Sequence, residues 1–271
     1  EFDSNGNPSF EGKLFQYYGL PNRNARSVFY LEDTGYFNGD IDSSGPLNVA
    51  VFISPGNLHD YAWCRIEDTA FAAKVLADGR TVGHPAQSIS VIGKEIYESR
   101  YCLPFTMGVP STAHIVRFYE ILEKLKAKGQ PVEVYLVNTT GKIGAEYEWV
   151  EEKLGSKKYL MPRTKLMKGP NGIPRPVGGT SPTIEETELF LLQATRGAVK
   201  YKPHPIWGEK VLVPVYVEGI SQERLKELDP FTYRSMDEMI ALLKATIIKS
   251  KYYLDQQAPG LPEKIYNAMD F

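Results

Sequence analysis

Apolar positions along the chain fall into a few clear patterns. Val132, Val134, Leu136 and Val137, with Tyr135 between them, predict a buried β-strand. That strand runs into Asn138, Thr139, Thr140, Gly141 and Lys142. Just upstream, Ile115, Tyr119, Leu122 and Leu125 recur at helical spacing and predict a helix over 112–128. Ser111 or Thr112 is placed to cap it, and Gly129 to end it. Helix, glycine turn and buried strand make an α/β unit. A second, central strand is expected over 47–53, closed by Ser54, Pro55 and Gly56, and a short one over 28–31. Residues 60–77 read as helical, and 79–90 as a loop or short strand.

Downstream, Thr183-Ile184-Glu185-Glu186 has the spacing of a capping box, opening a helix to Arg196 that Gly197 terminates. A strand is expected over 211–217, and Pro214 inside it argues for an edge or irregular strand. Ser235-Met236-Asp237-Glu238 forms a second capping box. It opens a long C-terminal helix with Met239, Ile240, Leu243, Ile247 and Leu254 toward the core.

Two segments lack such periodicity. Residues 1–26 form a loop-rich lead-in, broken by Gly6, Pro8, Gly12, Gly19 and Pro21. Residues 145–182 pass from glutamates (Glu146, Glu148, Glu151, Glu152) to a basic run (Lys153 to Lys168) and then to glycines and prolines. An exposed insertion is expected there, whose basic run is a solvated face or an anion contact. The expectation for 1–271 is one α/β domain or domain fragment, a mixed twisted sheet with flanking helices and no internal repeat.

Composition narrows the function classes. The 271 residues, 42% hydrophobic and 24% charged, suffice for a full core. A net charge of −2 gives no reason to expect a nucleic-acid partner. No apolar run approaches the ~18–20 residues that span a bilayer, so no membrane is expected. The first residues lack a signal-peptide core and a starting methionine, as a cut or processed product would. Cys64 and Cys102 stand far apart, which suits a reduced, cytoplasmic protein better than a disulfide scaffold. His59, His84, His114 and His204 show no helical ligand spacing, so no metal residues are assigned.

The polar strand tip at Asn138–Lys142 is the most suggestive chemistry. Hydroxyls, a glycine and a lysine after a buried strand are how α/β proteins present groups to phosphates or nucleotides. Its spacing matches neither G-x-x-x-x-G-K-[ST] nor G-x-G-x-x-G, and an ordinary loop has the same composition. Cys102 reads as a small hydrophobe. His59, Asp60 and His84 read as surface groups, and the three tryptophans as core or half-buried body.

In this order the segments resemble the C-terminal part of ATP-dependent phosphoenolpyruvate carboxykinase. Asn24-Ala25-Arg26, before the strand at Val28, is similar to the family's Asn-Thr-Arg segment. Tyr135-Leu136-Val137-Asn138-Thr139 is similar to its Tyr-Leu-Val-Asn-Thr strand end. Gly178 through Thr187 resembles the glycine-rich turn and helix that hold the adenine. Pro205-Ile206-Trp207-Gly208, Val213-Pro214, the stretch from Gly219 to Pro230 and Tyr233 resemble the closing segment.

The resemblance implies a lyase of gluconeogenesis. Oxaloacetate is decarboxylated and its enolate takes a phosphoryl group from ATP, with Mg or Mn, giving phosphoenolpyruvate, ADP and carbon dioxide. It implies a catalytic role for Arg26 on the transferred phosphate, and nucleotide contacts from Thr187, Ser181, Asn138 and Lys142. The family's phosphate loop and its lysine, histidine and aspartate metal ligands precede the segment that matches Arg26, so they fall outside this chain. The family's arginine before the adenine helix falls near Ser181, and Ser99-Arg100-Tyr101-Cys102-Leu103 replaces Ser-Ala-Cys-Phe-Gly. The chain alone is therefore expected neither to bind ATP tightly nor to turn over, with the missing N-terminal portion as its partner. The alternatives are a stand-alone, non-catalytic ligand-binding or interaction domain of the same fold, and a phosphotransferase subunit completed by another chain.

Overall fold

The computed structural model describes residues 47–54, 56, 58–82, 94–97, 110–139, 141–169 and 174–271. The lead-in over 1–26 with Arg26, the strand expected at 28–31, His84 and Cys102 lie outside them. The strands are β1 (Val49–Ser54), β2 (Trp63–Ile66), β3 (Thr81–Val82), β4 (Glu95–Ile96), β5 (Glu133–Asn138) and β6 (Tyr147–Leu154). They continue as β7 (Lys157–Thr164), β8 (Leu166–Lys168), β9 (Pro174–Pro176), β10 (Lys200–His204) and β11 (Gly208–Tyr216). The helices are α1 (Thr69–Asp78), α2 (Ser111–Ala127), α3 (Ile184–Thr195), α4 (Gln222–Glu227), α5 (Met236–Gln257) and α6 (Glu263–Tyr266).

Five strands form a mixed sheet in the order β1-β5-β2-β11-β10. β1 and β5 run parallel from Val49↔Glu133 to Ser54↔Asn138. The remaining neighbours are antiparallel. Side chains alternate across the sheet and build two cores. Phe52, Cys64, Ile66, Val134, Val211 and Val213 pack on one face against Phe71 of α1, Ile115 and Leu122 of α2, Leu254 of α5 and Ile265 of α6. On the other, Trp63, Tyr135 and Val137 meet Phe190 and Ala194 of α3. The Trp63 and Phe190 rings stack, with centroids 4.9 Å apart and planes 6° from parallel. The fold is thus a mixed α/β sheet with flanking helices.

Local structure follows the sequence in most places. α3 and α5 open with full capping boxes at Thr183/Glu186 and Ser235/Glu238. α2 spans almost the residues expected, but Pro110 stands at its N-cap and no side chain caps it. The Thr112 hydroxyl instead donates to the Pro259 carbonyl at 3.0 Å.

Two expectations are corrected. Residues 60–77 are not one helix: β2 comes first, and α1 starts only after Asp68, whose carboxylate accepts from the Phe71 N–H at 2.7 Å. β1 is not central among the described residues: it pairs with β5 alone, leaving Ile53 55% exposed. Pro214 lies in β11, which sits between β2 and β10 and not at an edge, but beside a register shift in the β10–β11 ladder between Lys200 and Tyr201, so the strand is irregular there as expected. It is tolerated because β2 is short and pairs only Val211 and Leu212, so the missing N–H of Pro214 falls beyond the ladder. The described residues of the 145–182 stretch form the β6–β7 and β8–β9 hairpins. Gly155 (φ 62°) supplies the tight turn, and Leu154 and Met161 pack on Ala245 of α5.

A buried polar cluster joins α1 to α5. The Lys74 ammonium donates to the Ser250 hydroxyl at 2.5 Å, and that hydroxyl donates to Asp78 at 2.7 Å. Lys74 and Asp78 also pair at 3.4 Å. Burial pushes the lysine pKa down and the carboxyl pKa up.

Candidate functional site

β1 and β5 end at the same level, at Ser54 and Asn138. The carboxyl ends of parallel strands are where α/β sheets place ligands. Asn138 is buried, and its side-chain oxygen accepts from the Gly56 N–H at 2.9 Å and the Gly141 N–H at 2.7 Å. Its amide nitrogen donates to the Gly141 carbonyl at 3.3 Å. One side chain therefore ties the loop after β1 to the loop after β5. The two loops approach so closely that a Cβ on Gly141 would overlap the Gly56 backbone.

The β5 loop meets a second segment some forty residues further on. Ile143 and Thr180 form an isolated bridge, with N–H···O distances of 2.7 and 2.9 Å. Gly179 makes it possible: its φ is +74°, and a Cβ there would press on the Ile143 carbonyl and the Ala145 N–H. Beside the bridge, the Lys142 ammonium donates to the Ser181 hydroxyl at 2.9 Å. Thr187 lies in the first turn of α3, where its hydroxyl donates to the Thr183 carbonyl at 2.9 Å. Of the residues singled out in the sequence, Lys142 and Ser181 touch, Asn138 stands at the foot of the same loop, and Thr187 lies one turn into the helix.

One residue of this wall was not singled out by sequence. Arg224 of α4 donates from Nε to Glu186 at 2.6 Å and from Nη2 to the same carboxylate at 3.0 Å. Nη2 also reaches the Ser181 carbonyl at 2.8 Å. Nη1 reaches the Thr180 hydroxyl at 2.9 Å and Glu227 at 2.8 Å. The hydrogen bond from Arg224 holds the Glu186 carboxyl below the usual carboxylate range, and Glu186 in turn raises the arginine. Only the position of Arg224 inside the Gly219–Pro230 stretch, quoted above for its resemblance, pointed toward it.

A second polar group lies under the sheet. His59, expected at the surface, is 2% exposed. Its Nε2 lies 3.3 Å from the Thr246 hydroxyl and 3.8 Å from Asp60. Asp60 takes both Nη atoms of Arg80 at 2.5 and 2.8 Å, and Arg80 also reaches Glu95 at 3.3 Å. The Tyr97 hydroxyl joins Glu95 to the Thr246 carbonyl, each at 3.2 Å. Burial lowers the His59 pKa and pushes His204 down to about 3. His59, Asp60, Arg80, His204 and Thr246, with Phe52, Cys64, Phe71, Val211 and Leu243, line a cavity of about 170 Å³. Cys64 is a free, buried thiol that desolvation holds protonated.

Among the described residues, no group of three or more histidines, cysteines or acids is placed to hold a metal ion. No described helix is long and apolar enough to cross a membrane. Neither a family model nor a curated protein matches the sequence.

Proposed function

We propose that this chain is the C-terminal, nucleotide-facing portion of a phosphoenolpyruvate carboxykinase-like lyase acting on oxaloacetate with ATP and Mg or Mn. One observation carries the reading. The loop 138–144, which continues the Tyr135–Thr139 segment that resembles that family, meets the 178–187 segment, which resembles its adenine turn, through the Ile143–Thr180 bridge and the Lys142–Ser181 hydrogen bond. They do so at the carboxyl end of the parallel strand pair. Phosphoryl transfer depends on positioning and on cations fixed near developing charge. In this reading Arg26 neutralises the transferred phosphoryl group, and Lys142 and Ser181 line the cleft near the nucleotide. The phosphate cradle and the metal ligands come from the missing N-terminal portion.

Photolabelling with 8-azido-ATP tests this. Labelling within 138–144 or 178–187, suppressed by millimolar ATP and accompanied by no phosphoenolpyruvate formation, is the expected result. Steady phosphoenolpyruvate formation by the chain alone, abolished in Arg26→Ala, would overturn the division of labour.

The second reading is a non-catalytic ligand-binding domain of the same fold. The commitment of the Asn138 amide and the Thr187 hydroxyl to backbone partners favours it. Labelling that no adenine nucleotide suppresses would select it.

A further inference from the structure

The structure assigns to Arg224 the role of positioning residue for the wall formed by Lys142 and Ser181, which rests on the nucleotide-facing reading above. A guanidinium has five N–H donors in a fixed plane. Arg224 makes five hydrogen bonds: two to Glu186, and one each to the Ser181 carbonyl, the Thr180 hydroxyl and Glu227. No N–H is left for a ligand anion, so Arg224 acts through its neighbours and does not touch the nucleotide.

Its partners define what it positions. Thr180 is the residue bridged to Ile143, and Ser181 carries the hydroxyl that Lys142 grips. Glu186 closes the capping box of α3 by accepting from the Thr183 N–H at 2.8 Å. One side chain thus fixes the turn on both sides of Ser181 and ties it to the start of the helix. Two carboxylates, Glu186 and Glu227, compensate the guanidinium, with side chains 21% and 57% exposed against 22% for Arg224. The Lys142 ammonium bonds a neutral hydroxyl instead, and no carboxylate lies within ion-pair distance of it among the described residues. Among the described residues, the cation of this wall without a carboxylate partner is therefore the one Arg224 helps to place.

The test compares wild type, Arg224→Ala and Arg224→Lys. The lysine variant keeps the charge and the alkyl stem, so it preserves folding, but it offers three donors from a single point. Native-state hydrogen exchange needs no ligand. Amides of Ile143, Thr180 and Thr183 should exchange at least about tenfold faster in both variants, while those of α5 stay as in wild type. The ATP concentration that half-suppresses 8-azido labelling should rise about tenfold with the maximal yield unchanged, since loss of orientation appears in affinity. Unchanged exchange at Thr180 and Thr183 in Arg224→Lys overturns the inference. Faster exchange with unchanged half-suppression equally overturns the link to the site. If wild type itself shows no ATP-suppressible labelling, the functional reading fails, and the exchange data still decide whether Arg224 holds the turn.

Discussion

Asn138 puts its whole amide into backbone. Two N–H groups and one carbonyl from two different loops converge on it, and the site is buried. Removing the side chain leaves those groups without their partner in a largely buried place. Asn138→Ala should therefore lower unfolding free energy by about 2–3 kcal/mol in a urea titration. Histidine burial gives a second residue-scale outcome. His204 Nδ1 accepts from the N–H groups of Ile206 and Trp207 at 3.1 and 3.2 Å, so the neutral ring is the form the fold uses. Its folded pKa is depressed to about 3, against roughly 6.5 in the unfolded chain. The unfolded state therefore binds more protons between those values, and stability rises with pH there. The contribution is complete above pH ~6.5 and is lost as pH falls toward 3, with His59 acting in the same direction. Tm should be flat with respect to these groups above neutrality and fall below it, and His204→Gln should flatten the acid limb.

At the scale of elements, legibility followed the strength of local signals. α3 and α5 announce themselves through a capping box, and α3 ends at Gly197 (φ 70°). β5 reads out because it is buried on both faces, so its apolar run is continuous. β2 was hidden. Its four residues sit directly before the Asp68 cap, and the aromatic and apolar positions of both elements merge into one apparent helical period. The β6–β7 hairpin was hidden for the opposite reason: charged residues occupy nearly half of its strand positions, and only Leu154, Met161 and Thr164 are buried. The candidate site was legible in its residue types but not in its contacts. Nothing in the spacing of Lys142 and Ser181 puts them 2.9 Å apart; the Ile143–Thr180 bridge does. Arg224 was illegible because its role depends on partners spread from Thr180 to Glu227.

For the whole molecule, one sheet serves two cores, so neither can melt while the other stays packed. The three tryptophans divide the structure conveniently. Trp63 lies in the core under α3, Trp207 packs edge-on against Phe71 in the opposite core, and Trp149 is exposed on the β6–β7 hairpin. Single-tryptophan variants should show coincident urea transitions for Trp63 and Trp207. Trp149 should report an earlier one, because among the described residues its hairpin pairs only with itself and docks through the small cluster of Leu154, Met161 and Ala245 and the Lys249–Glu152 ion pair. Distinct midpoints for Trp63 and Trp207 would show that the sheet does not couple the cores.

The Lys74–Asp78–Ser250 cluster bears on how this sequence can change over time. Each member satisfies the others in a buried place, so a change at Lys74 alone strands a buried carboxylate, and a change at Asp78 alone strands a buried ammonium. Such single steps each cost several kcal/mol, whereas simultaneous replacement by apolar residues of similar volume is close to neutral. Positions 74 and 78, one helical turn apart, and position 250, far along the chain, therefore behave in descent as one heritable unit: they are kept together or exchanged together.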